Sequence, residues 1–131
     1  MGLFDRILLS KEQKEWGLLK TTLIGAVSIF IDNSNNAATT ENLSASLTQV
    51  FIEYAKFTKR TFSPEMIEDA VNFFSTLEML PRAKKELFFD LVKLYFDYQS
   101  SGNQVDEWRA VDRKINLFFI ECASKMGTRC F

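Results

Sequence analysis

Three groups of carboxylates are the residues in this chain whose types and spacing could do chemistry: Glu65, Glu68 and Asp69, then Asp90 and Asp97, then Asp106, Glu107 and Asp112. Paired carboxylates hold a hard cation, or share acid and base roles, when two of them face one another. Glu65 and Asp69 stand four residues apart, which puts them on one side of a helix, where like charges repel unless a cation lies between them. No Asp-x-Asp-x-Asp-Gly loop occurs, so a calcium or magnesium site would be assembled from separate helix ends. Its ligands would be Glu65 and Asp69 from one end and Asp106 and Glu107 from another. The competing expectation is that these acids occupy the first turns of helices, stabilised by the positive end of the helix dipole.

The rest of the catalytic repertoire is thin. The chain has no histidine, which removes histidine-activated nucleophiles, the helical HExxH zinc site and the Glu-x-x-His ligands of di-iron bundles. Its five glycines are too scattered to build a phosphate-cradling loop. Cys122 falls on an apolar stripe and reads as an inert core thiol, while Cys130 stands near the end of the chain. No catalytic constellation emerges, so the expectation is a protein that is not an enzyme and needs no cofactor beyond a divalent cation at the carboxylates.

Sixteen basic residues against seventeen acidic ones give a net charge of -1, so no global field draws the chain to nucleic acid. Asp5 and Arg6 interrupt the apolar stretch that a secretory leader requires, and two cysteines without a CxxC fit a reducing compartment. A cytoplasmic location follows as the expectation. The densest apolar run, residues 23–31, is far shorter than the roughly 20 residues that cross a bilayer. Thirteen phenylalanines, two tryptophans and three tyrosines supply unusual aromatic area for a core or a partner surface.

The apolar spacing predicts an all-α domain of about five main helices over residues 10–127, with a short amphipathic arm over 1–9 and a tail over 128–131. Ser10-Lys11-Glu12-Gln13 reads as a capping box opening the first helix, on which Gly17 and Gly25 would let a neighbour approach closely. Residues 32–40 form a surface connection, with Thr39 or Thr40 capping a second helix that runs to about Lys59. Ser63-Pro64-Glu65 opens the third helix: a serine cap, a proline where a missing donor is harmless, and an acid at the positive end. Pro81 separates the third helix from a fourth that extends to about Tyr98 and is apolar nearly all round, which predicts a central position. The fifth helix follows the break at residues 100–103 and turns Trp108, Val111, Ile115, Phe118, Phe119 and Cys122 inward.

Two of the helix entries resemble those of a known family. Phe62-Ser63-Pro64-Glu65, and again Ser101-Gly102 followed by Val105-Asp106-Glu107, are similar to the turns of the tellurite-resistance TerB-like domains, bacterial all-helical modules of similar length. There a helix ends in an Ala-Asp-Gly-like turn, passes an apolar residue and a Ser, Thr or Asp, and enters the next helix with acids. Lys59-Arg60-Thr61 and Ser101 stand where that family carries its acidic turn residues. The resemblance implies a stress-response module that binds divalent cations or membrane-associated partners.

Three functions are therefore expected to compete. The first is a non-enzymatic interaction module of adaptor, immunity or inhibitor type that buries an aromatic helical face against a protein partner or a second copy. Its face would comprise the off-stripe rings Phe73, Phe89 and Phe96, Phe62 at the helix entry, and Phe4 and Ile7 on the arm, which could also touch a membrane surface peripherally. The others are the TerB-like module and a carboxylate-dependent or apolar-ligand-binding protein.

Overall fold

In the computed structural model, which describes the backbone of residues 2–126 and the side chains of residues 14–122, helix follows helix from end to end. The order is α1 (Gly2–Asp32), α2 (Leu43–Phe57), α3 (Pro64–Met79), α4 (Arg82–Ser101) and α5 (Val105–Met126), with a 3-10 helix at Ala37–Thr39. The described residues contain no strand, so the chain is all-α, and none of their helices is long and apolar enough to cross a membrane.

Local chemistry explains most of the boundaries. The Ser63 hydroxyl accepts the Met66 amide at 3.3 Å and Pro64 takes the first helical position of α3, as its sequence predicts. Met79 ends α3 two residues before Pro81, which is the cap residue of α4 rather than part of it. Gly102, with φ of 70°, ends α4 in the left-handed conformation glycine tolerates best. The end of α2 is less obvious. There the Lys59 amide bonds the Lys56 carbonyl at 3.1 Å and the Arg60 amide bonds the Ala55 carbonyl at 2.9 Å. This is a Schellman closure whose left-handed position, φ of 58°, is filled by Lys59 instead of glycine.

Three expected boundaries differ. Ser10 stands inside α1, whose backbone is continuous from Gly2, so the capping-box pattern does not start a helix. The arm residues Leu3, Phe4, Ile7 and Leu8 have side chains outside the described residues, as does the tail over 128–131. Neither Thr39 nor Thr40 caps α2. Asn42, left-handed at φ of 53°, takes that place, and Thr39 closes the 3-10 helix.

The helices pack in the spatial order α1, α2, α3, α5, α4, with α4 returning to α1 to close the ring. The helix most deeply enclosed is the second half of α1, where residues 22–27 are all buried. A helix buried on every side for more than a turn must lie inside the bundle. The expectation for α4 is thereby corrected: it buries Phe88, Phe89, Leu91, Val92 and Tyr95 while Leu87 and Leu94 stay exposed. Gly25 makes the enclosure of α1 workable, because a Cβ there would meet the Tyr54 ring of α2 at 2.6 Å, whereas Gly17 has open space around it.

Aromatic rings fill the middle. Phe73 on α3 lies 5.7 Å from Phe88 on α4 and 4.6 Å from Phe119 on α5, ring centre to ring centre. Trp16 brings α1 to Phe119 at 5.2 Å, and Phe51 brings α2 to Phe74 at 6.1 Å.

Two stability changes follow. Phe73→Ala, which empties a fully buried site touching three helices, should cost about 3–5 kcal/mol in urea unfolding. Lys59→Gly relieves a left-handed lysine and should raise stability by ~0.5–1 kcal/mol in the same measurement.

Candidate functional site

The structure disperses the residues expected to form an aromatic face. Phe73 and Phe89 belong to the core, at 0% and 4% exposure, so neither is available to a partner. Phe62 is half-buried and stacks on Phe51 at 5.7 Å, and half-buried Phe96 meets Tyr95 edge-on at 5.2 Å. Phe4 and Ile7 lie outside the described side chains. The physical reason is that bundle helices bury more than one stripe, so a ring off the main stripe of its own helix still meets a neighbour.

The carboxylates are dispersed too. Glu65 is exposed on the first turn of α3, while Asp69, one turn later, is buried, so the pair does not open onto a common space. Asp106 and Glu107 are exposed on the first turn of α5. Among the described residues no three Asp, Glu, Cys or His side chains gather where one cation could reach them. Cys122 is buried.

Two polar arrangements join helices. Lys20 Nζ of α1 donates to Asp112 Oδ1 of α5 at 2.6 Å, with side chains only 14% and 24% exposed. Beside them, Tyr95 has its phenol pKa raised above 10.0, first by burial and then by the negative charge of Asp112. Trp108, whose ring centre is 5.3 Å from that of Tyr95, has a buried indole N–H with no hydrogen-bond partner. At the other side of α1, Arg60 Nη1 donates at 2.6 Å to the Thr22 hydroxyl, which itself donates to the Leu18 carbonyl at 2.8 Å. The left-handed turn at Lys59 delivers that guanidinium, and a buried hydroxyl is thereby satisfied. Both arrangements tie α1 to its neighbours, one through an ion pair and the other through a hydroxyl.

A cleft of about 230 Å³ opens between the 3-10 segment and α4. Ser34, Asn36, Arg82, Glu86, Asp90 and Lys93 line it, with Phe89 at its floor, and Arg82 is already held by Glu86 at 2.7 Å. Both signs of charge occur side by side, so it offers no field for one class of ligand.

The outer face of α4 and α5 is different in kind. Leu87 (52% exposed) and Leu94 (38%) lie two turns apart along one side of α4, and Leu117 (64%) and Ile120 (41%) lie one turn apart along α5. The two helices pack side by side and antiparallel: Lys84 Nζ meets Glu121 Oε1 at 3.0 Å, and Phe88 meets Phe118 at 5.3 Å. These contacts set Leu87 level with Leu117. Single exposed aliphatics are ordinary on any protein, but four on two adjacent helices form one patch. The sequence shows α4 as apolar nearly all round, which does not single out Leu87 and Leu94 as outward residues. The available signal was on α5, where Leu117 and Ile120 fall opposite the Val111, Ile115, Phe118 and Cys122 stripe.

The tie between α1 and α5 gives a prediction. Asp112→Ala leaves a largely buried ammonium without its carboxylate and should lower stability by about 1–3 kcal/mol. Because the folded state holds Tyr95 protonated above its ordinary pKa, stability should fall as pH rises through and beyond 10.0, where only the unfolded state has released the proton. Tyr95→Phe should blunt that alkaline loss, read as the change in Tm between neutral and alkaline buffer.

Compared with protein-family models, curated proteins and solved structures, the chain matches none.

Proposed function

We propose that this chain is a non-enzymatic protein–protein interaction module of adaptor, immunity or inhibitor type, working in the cytoplasm through the outer face of α4 and α5. The observation that carries the reading is the aliphatic patch of Leu87, Leu94, Leu117 and Ile120, on two long helices that the Phe88–Phe118 contact fixes together. A rigid apolar centre with charged residues around it is the usual anatomy of a binding surface. Its aliphatic make-up differs from the aromatic face expected from the sequence, because Phe73 and Phe89 are buried in the core. Near-neutral overall charge fits recognition by shape and local charge rather than by long-range attraction.

The test is capture from a lysate of the source cells, with wild-type chain beside the double variant Leu94→Asp/Leu117→Asp. Both positions are exposed, so the variant should keep its helical circular dichroism and thermal transition. Proteins retained by the wild type and lost from the folded variant are the expected result. Identical captured sets from the two would refute the assignment of this face.

A further inference from the structure

The start of α2 has no cap of its own. Asn42 holds the cap position in the left-handed conformation, and its side chain makes no cap bond to the helix. The Ser46 amide donates to the Asn42 carbonyl at 3.0 Å as the first bond of the helix, which leaves the amides of Leu43, Ser44 and Ala45 without a partner inside it. The Ser44 amide finds its partner on another element: it donates to Glu78 Oε1, on the last turn of α3, at 3.2 Å. The Ser44 hydroxyl lies 3.2 Å from that of Ser75, one turn earlier on α3. Glu78 is itself held, because Lys85 Nζ of α4 donates to its backbone carbonyl at 3.2 Å. A carboxylate placed at the positive end of a helix dipole stabilises the helix it faces.

The segment that leads into α2 depends on that tie. Among the described residues, the hydrogen bonds of residues 35–40 all close within 36–40: the amides and hydroxyls of Thr39 and Thr40 bond to the carbonyls of Asn36 and Ala37. Between Ile31 and Leu43 the one buried side chain is the methyl group of Ala38. The connection therefore lies over α4 with little apolar anchorage and no hydrogen bond of its own to the bundle. Its first hydrogen bonds to another helix are those of Ser44.

We infer that residues 34–42 form a strap that opens without the rest of the bundle, and that Glu78 is the latch that closes it. A segment with few buried contacts and exposed local hydrogen bonds opens at a lower free energy than the core beneath it. When the Ser44 amide leaves Glu78, the first turn of α2 frays and the bond from Ser46 to Asn42 goes with it, so strap and first turn move as one unit. The strap is one wall of the cleft whose other wall is α4, and its opening widens that cleft onto the buried ring of Phe89.

Amide hydrogen exchange of the purified chain, read by NMR, tests this. The amides of Thr39, Thr40, Ser44 and Ser46 should exchange together and faster than those of residues 22–27, which are enclosed by the bundle. Glu78→Ala should speed the four by about fivefold, the effect of losing one helix cap. Glu78→Gln keeps an oxygen for the Ser44 amide and should stay nearer to the wild type than to Glu78→Ala. Exchange at the four amides as slow as at residues 22–27 would show that the strap has no opening of its own and would overturn the proposal. So would Glu78→Ala rates equal to those of the wild type, or a Glu78→Gln chain that exchanges as fast as Glu78→Ala.

Discussion

Phe73, Phe88 and Phe119 meet at the point where α3, α4 and α5 come together, and the rest of the bundle is arranged around that contact. From it the rings continue outward, through Trp16 to α1 and through Phe74 and Phe51 to α2, so every helix contributes to one connected aromatic core. Burying a large ring stabilises a fold by roughly 1.5–3 kcal/mol, and edge-on or tilted ring pairs contribute about 0.5–1.5 kcal/mol more. With such rings in several helices, the interior is continuous from α1 to α5. The polar ties at Lys20–Asp112 and Arg60–Thr22 then fix how α1 sits within it.

This constraint also decides what is left outside. Once the Phe88, Leu91, Val92 and Tyr95 side of α4 is committed to the core, Leu87 and Leu94 must face away from it. On α5, burial of Ile115, Phe118, Phe119 and Cys122 leaves Leu117 and Ile120 in the same position. Because the Phe88–Phe118 contact locks the two helices in register, the exposed aliphatics do not scatter but form a patch edged by charge. Core packing and the exposed aliphatic face are thus two sides of the same helices, and the order of one implies the order of the other.

The all-α class and the Ser63-Pro64 helix entry were legible in the sequence because they rest on local chemistry: helical spacing, a cap and a proline. The position of α4 was not. Its residues offer two overlapping apolar stripes, one through Leu87, Leu91 and Leu94 and one through Phe88, Val92 and Tyr95, and only tertiary packing chooses between them. The same ambiguity misdirected the reading of Phe73 and Phe89 as surface rings, since a bundle helix between several neighbours has no single inward side. The cap of α2 was missed for another reason. Asn42 adopts a left-handed conformation without a side-chain cap bond, so the usual threonine signal pointed elsewhere. Glu65 and Asp69 share a side in spacing, yet one is exposed and the other buried, a distinction set by where α3 meets its neighbours.

The central claim is that Phe73, Phe88 and Phe119 make the interior while the aliphatic residues of α4 and α5 are left together on the surface. Hydroxyl-radical footprinting of the purified chain, read residue by residue, addresses it most directly. Phe73, Phe88 and Phe119 should stay unmodified, while Leu87, Leu94 and Leu117 react. Modification of the three phenylalanines in the folded chain, or leucines as protected as those rings, would contradict the account.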